Sequence, residues 1–467
     1  MRVLLATAPW TFAELYPGEM AGRFSVPSAS PPLGILYLSA CLKAEGHDVA
    51  FFDGMDRTNE DFHAVVRSFD PGLVGLHCTT FSWPRTAALV IEHAARGGAP
   101  TVLGGPHATG ATAAPLLDCP ALDYILAGDA DFAICRLVDA LEGRVPIEEV
   151  PGLGTLDATG AVHFAGVEYV RDLDALPMPD YDLIDIRDYP PSIAFYDRLP
   201  SMTMMTTRGC PSQCTFCDAP SNYRERSIEK VIEEIRFLKR RFGVRHILFY
   251  DEDMALNRKR TLRLCAALQE ADLDVSWCCN ARADKVTPDL LATMKAAGCW
   301  RILLGIESGS QRILDEVCKG VTLDMIRQQV RVVRDAGIEV MGTFVFGFPG
   351  ETIEDGRATI DFAIELGLDY AIFLKLTPFP GTAIADGIEE HGTVTGRWGP
   401  QLISFIPNSM TEAELAELSS EAMRRFYMRP GYLVRRALKM RTVHDVTRNL
   451  RGFLSLRGIR ARHFLRA

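Results

Sequence analysis

The chain has 467 residues, 48% of them apolar and 24% charged, with a formal charge of −10. That length exceeds one ordinary core and points to two globular domains with an appendage, and the acidic balance argues against nucleic acid as a partner, because phosphates reward a basic surface. No apolar run is long enough to cross a bilayer, and the first one, Met1 to Trp10, is too short for an export signal and reads as a buried strand.

In chain order, β-rich runs at 3–8, 49–53, 73–78, 101–105 and 123–128 alternate with helical patterns, the first of these at 33–45. Strands alternating with helices at this spacing make an open parallel sheet, an α/β domain over residues 1–145. Gly104, Gly105 and Gly128 fall at strand ends, where such sheets bind ligands. Residues 146–200 read as a hairpin around Gly160 and a linker rich in Asp, Pro and Tyr. Six further strand–helix units fill 201–385, as in a partial (β/α)6 barrel of TIM type, whose reactive groups sit at the carboxyl ends of the strands.

Residues 386–467 form a helical, basic region in which Asp445 is the one acid after Met423. Its interleaved arginines and apolar residues fit either a helix lying on an anionic membrane or a cap packed on the acidic body.

The chain has 12 cysteines, and three of them, Cys210, Cys214 and Cys217, stand three and then two residues apart in RGCPSQCTFCDAP. Three thiolates are one short of a closed four-iron cluster, and a metal corner without a protein ligand is free to chelate something else. A zinc knuckle or inert core thiols are the alternatives, but no second ligand pair follows at finger spacing. The other cysteines sit in apolar patterns, as expected of thiols in a reducing cytoplasm. The adjacent Cys278 and Cys279 are ambiguous: strand neighbours point to opposite faces, so one of them could face the active-site cavity. Tyr223 and Tyr250 read as packing tyrosines before hydrogen-atom relays.

With Phe216 before its last cysteine, this loop resembles the signature of the radical S-adenosylmethionine (SAM) superfamily. The N-terminal segment resembles the cobalamin-binding domain fused ahead of many such enzymes, through Pro31-Pro32-Leu33-Gly34, the GGPHAT run from Gly104 to Thr109 and the acidic turn Gly128-Asp129-Ala130-Asp131. The style is closest to class B methyltransferases and the anaerobic magnesium-protoporphyrin ester cyclase. The resemblance implies a 4Fe-4S cluster on the three cysteines, SAM on its open iron and cobalamin in the first domain. Because Asp61, Phe62 and His63 are only a fragment of the histidine-ligating motif, cobalt is expected to lack a histidine ligand. Thr79, Thr80, Ser82, Gly104, Gly105, His107 and Gly128 would line the corrinoid. Phe216, Arg282, Glu307 and Ser308 would hold SAM, with the polar turn Asp251-Glu252-Asp253 near its methionine end.

The implied activity is carbon methylation of a small or lipophilic metabolite through a 5′-deoxyadenosyl radical and methylcobalamin. Radical cyclisation of the ester-cyclase type and a non-catalytic corrinoid sensor are the alternatives. A low-potential donor such as flavodoxin or ferredoxin would supply electrons, in a cytoplasmic or membrane-peripheral setting.

Overall fold

A computed structural model describes residues 1–11, 30–192, 194–397, 399 and 402–439. These form two compact units, the first holding residues 1–11, 32–185 and 379–386, and the second holding the rest.

The first unit is built on parallel strands β1 (Arg2–Thr7), β2 (Asp48–Phe52), β3 (Leu73–His77), β4 (Thr101–Gly104) and β5 (Tyr124–Leu126), in the order β2-β1-β3-β4-β5. Val3, Leu4, Leu5 and Ala6 are all 0% exposed, as befits a strand covered on both faces. The hairpin, β6 (Leu153–Leu156) and β7 (Val162–Phe164), pairs antiparallel with β5 through Tyr124 and Thr155. It therefore extends this sheet, where the sequence placed it in the linker.

Helix α1 (Leu33–Ala44) starts directly after Pro32. Helix α2 (Asn59–Phe69) starts at a Thr58/Asp61 capping box, and α3 (Trp83–Ala95), α4 (Pro106–Ala111), α5 (Ala114–Asp118) and α6 (Ala130–Leu141) follow.

The second unit begins with β8 (Ser201–Met204) and a two-residue ribbon of β9 (Thr207–Arg208) against β10 (Arg224–Glu225). Then come β11 (His246–Phe249), β12 (Ser276–Ala281), β13 (Cys299–Glu307), β14 (Glu339–Phe346) and β15 (Tyr370–Lys375). Strands β8 and β11 to β15 lie side by side in sequence order, all parallel, forming the half-barrel. Its crossovers are α7 (Ile228–Phe242), α8 (Arg258–Glu270), α9 (Pro288–Ala296), α10 (Gln311–Glu316), α11 (Leu323–Asp335) and α12 (Ile353–Glu365). Helix α7 shows how local sequence sets the ends: Ser227 caps the Lys230 amide, Lys239, Arg240 and Arg241 face the C-terminal dipole, and Gly243 ends it at φ +66°.

A small hairpin, β16 (Gly392–Val394) with β17 (Phe405–Pro407), precedes α13 (Glu412–Tyr427) and α14 (Pro430–Lys439). These last helices cap the barrel. Tyr427 Oη donates to Ala371 O at 2.6 Å and Tyr432 Oη to Asp369 O at 2.9 Å. Arg436, 5% exposed, reaches Glu339 at 3.0 Å and the Tyr370 hydroxyl at 2.7 Å, and Arg435 donates to Leu368 O at 3.0 Å. Arg435 and Arg436 of this region are thus spent on the barrel. Residues 440–467 of the basic tail lie outside the described residues, among which no helix is long and apolar enough to cross a membrane.

Candidate active site

The β9–β10 ribbon closes the base of the cysteine loop, and Gly209 (φ +89°) turns it so tightly that a Cβ there would lie 2.4 Å from Asn222 O. Cys210 N donates to Pro220 O at 2.7 Å and Cys217 N to Cys214 O at 3.2 Å, folding the loop on itself. Thr215 N donates to Val317 O at 3.1 Å, pinning it to the loop after α10. Phe216 packs edge-on against Phe348 of GFPGET at 5.5 Å. That second loop is held by the buried Glu351, which accepts from the amides of Gly347 and Phe348.

All three cysteines line one cavity of about 430 Å³. Glu252, Asn280, Arg282, Glu307 and Lys319 line it together with Met202, Leu248, Leu303 and Phe195. Glu307 arrives there by a local distortion. Strand β13 slips register against β14 between Gly305 and Glu307, and Glu307 takes φ +67°. Such a conformation costs a non-glycine residue about 1–3 kcal/mol and marks functional sites. Its Oε1 accepts from Lys319 Nζ at 2.8 Å. Burial works against the Lys319 charge, but Glu307 and then Cys214 outweigh it and hold its pKa above the ordinary value.

The polar turn after β11 divides its work. Asp251, 0% exposed, accepts from Thr206 N at 2.6 Å and Thr206 Oγ1 at 2.5 Å, fixing the chain that enters the ribbon. Asp253 accepts from Ala255 N at 3.1 Å, and burial pushes its carboxyl up to about 6. Glu252 lines the cavity, and its buried Oε2 has no hydrogen-bond partner. An orphaned carboxylate oxygen beside the cysteines, with an ion pair in the same cavity, fits the ammonium, carboxylate and ribose of SAM. Among the described residues no three His, Cys, Asp or Glu side chains gather about a single-ion point. A cluster asks for less convergence, since each thiolate takes its own iron.

The structure separates some residues that the sequence grouped. Ser308 is 0% exposed, does not line the cavity, and bonds Thr359 Oγ1 at 3.2 Å and Ser310 N at 3.1 Å. Neither Cys278 nor Cys279 lines it: Cys278 Sγ lies 3.4 Å from Phe195 O, and Cys279 meets Cys299. Tyr250 is 55% exposed and lines the cavity, so it is not the packing tyrosine expected, whereas Tyr223 is half-buried against Glu225. Lys319 was missed altogether, and only its proximity to the strand end in GIESGS…CKG could have suggested it.

In the first unit the expected corrinoid residues cluster at the carboxyl ends of β3 and β4. A Cβ on Gly104 would meet nothing within 4 Å, an open cradle over the strand end. Gly105 (φ +98°) leaves no room, since its Cβ would lie 2.7 Å from Cys78 O. Ser82 Oγ accepts from Thr79 N at 2.9 Å, and Thr80 Oγ1 meets His107 Nδ1 at 3.3 Å. His107 stacks on Trp83 at 5.1 Å, and burial lowers its pKa to about 4, so it stays neutral. Gly128 is a packing glycine, its Cβ position 1.8 Å from Glu168 O. His63 is 3% exposed on α2 and paired with Glu92 at 3.2 Å, so it is not placed to bind cobalt. His77, at the end of β3 with its ring 3.2 Å from the Gly105 Cβ position, was not singled out by the sequence.

Comparison with known proteins agrees with this geometry. Residues 204–363 match the model of the radical SAM superfamily, and residues 21–138 match the B12 binding domain. An uncharacterized methyltransferase of Pyrococcus horikoshii is 31% identical over 438 residues, covering 90% of this chain and 93% of that protein. The chain belongs to the radical SAM superfamily, in the branch that carries a B12-binding domain. The anaerobic magnesium-protoporphyrin IX monomethyl ester cyclase of Rubrivivax gelatinosus is 28% identical, covering 90% of this chain and 78% of that one. The same fold is found in OxsB, a cobalamin-dependent SAM radical enzyme solved with aqua-cobalamin and SAM bound, with TM-score 0.72, 18% identity, and coverage of 97% of this chain and 72% of that one. As a member of this branch, the radical SAM enzyme described here uses a 4Fe-4S cluster, SAM and cobalamin, and needs a small substrate and a reductant.

Proposed function

We propose that this enzyme methylates an unactivated carbon of a small or lipophilic substrate. The observation that carries the reading is the barrel cavity, where three cysteines of one loop, the unpartnered Glu252 oxygen and the Glu307–Lys319 pair share one space with Met202, Leu248, Leu303 and Phe195. When bound, the cluster and SAM supply a 5′-deoxyadenosyl radical, and cobalamin supplies a methyl carrier. The chain's own residues do the rest. Cys210, Cys214 and Cys217 hold the cluster, Glu252 accepts from the SAM ammonium, Lys319 meets its carboxylate, and Glu307 accepts from the ribose diol. Met202, Leu248, Leu303 and Phe195 keep water from the reacting carbon. Thr79, Thr80, Ser82, Gly104 and Gly105 form the corrinoid end of the first unit.

The methyltransferase name of the Pyrococcus relative supports methyl transfer, and the ester cyclase relative supports radical cyclisation as a second reading. Flavodoxin or ferredoxin suits the reductant. The test is anaerobic incubation of the reconstituted enzyme with methyl-labelled SAM and extracts of the source cells. Label in a carbon-bound product supports methylation. 5′-Deoxyadenosine formation with no transferred label favours cyclisation, and neither product refutes both.

A further inference from the structure

Each nitrogen of Arg282 has a partner. Its backbone N donates to Asp253 Oδ1 at 3.3 Å, Nε pairs with Asp284 at 2.9 Å and Nη2 donates to Lys319 O at 2.7 Å. The remaining nitrogen, Nη1, donates to Cys214 Sγ at 3.6 Å. The side chain is 13% exposed, and the 317–319 segment that it grips also holds the cysteine loop through Thr215 N at 3.1 Å. The guanidinium is therefore held at two of its three nitrogens, with the third facing a cysteine sulfur.

We propose that Arg282 is a positioning residue that raises the reduction potential of the cluster through its hydrogen bond to Cys214. The idea rests on the reading of Cys210, Cys214 and Cys217 as cluster ligands. Reduction adds one electron, from the family's reductant, and no proton or bond is exchanged. The cluster and its thiolates become more negative by one charge. A fixed cation touching a ligand sulfur stabilises that state more than the oxidised one. Lys319 lies nearby, but its charge is offset by Glu307 at 2.8 Å. Asp284 offsets Arg282 only from the far, Nε side while fixing the plane of the fork.

A merely structural strut would behave differently. Its loss would loosen the loop and admit water, and water favours the more highly charged reduced cluster, so the potential would rise or stay put. Loss of the donor lowers it. The experiment is an EPR-monitored redox titration of full-length anaerobic protein, comparing wild type, Arg282→Met and Arg282→Lys at matched iron and sulfide content. We expect the midpoint to move to more negative values in Arg282→Met and by less in Arg282→Lys. A midpoint that is unchanged or more positive in Arg282→Met overturns the proposal. Should Arg282→Met assemble no cluster, Arg282→Lys decides, because a flexible ammonium lacks the fixed planar fork that holds Lys319 O and Cys214 together: a negative shift supports the proposal and an unchanged midpoint overturns it. Wild-type protein that assembles no cluster refutes the parent reading instead.

Discussion

Glu307 and Lys319 meet at 2.8 Å in the barrel cavity, each side chain only 8% exposed. Removing one partner of such a pair strands the other charge in a poor solvent, at a cost of about 3–5 kcal/mol, whereas replacing both costs far less. Lys319→Met and Glu307→Gln should each lower unfolding stability by roughly that amount, and the double variant should recover most of the loss. None of the three should bind SAM as wild type does. Chemical unfolding and titration calorimetry check both halves, and single variants as stable as wild type would show that the pair is not tightly coupled.

Gly104 offers a cleaner separation of folding from ligand binding. Its Cβ position is open and Val suits a strand, so Gly104→Val should change stability by no more than about 0.5 kcal/mol. The same methyls would fill the corrinoid cradle and weaken cobalamin retention at least about tenfold, a difference of about 1.4 kcal/mol. Absorbance of protein purified from cobalamin-fed cells reads the result. Full corrinoid occupancy would move the site elsewhere.

Glu351 predicts a pH dependence. Burial pushes its carboxyl up to about 8 from an unfolded value of 4.5. The folded state therefore holds a proton that the unfolded chain gives up, so this contribution is complete below 4.5 and is lost as pH rises toward 8. Urea unfolding from pH 5 to 8 should show stability falling with pH, and Glu351→Gln should flatten the slope. Parallel slopes in the two proteins would rule out an elevated Glu351.

Arg436 predicts an outcome opposite to membrane anchoring. Its partner Glu339 is half-buried, which opposes ionisation, but Arg301 and then Arg436 outweigh this and hold its pKa well below the ordinary 4.5. That stabilisation is present above 4.5 and lost as pH falls below it. Arg436→Glu should destabilise the barrel by about 3–5 kcal/mol. Liposome flotation that drops while thermal stability holds would reverse this assignment.

The strands and helices were legible because their apolar periods are local, and the cysteine loop because its spacing is covalent. The hairpin around Gly160 was readable as a hairpin but not as part of the first sheet, since its pairing with Tyr124 is set by tertiary contact. Ser308 was misjudged because a sequence does not show backbone handedness. The left-handed turn at Glu307 aims that side chain inward and leaves Ser308 against Thr359. Lys319 was invisible because its role depends on the loop after α10 folding back over the strand end.

Residues 379–386 follow the last barrel strand in sequence yet belong to the first unit, where Phe379 rests on Phe81 at 5.6 Å and Gly110 lies under Pro380 O. The first unit is thus not finished when its own sheet has been synthesised. A ribosome must release nearly the whole chain before that unit can close, and a fragment cut at the linker would lack a piece of itself.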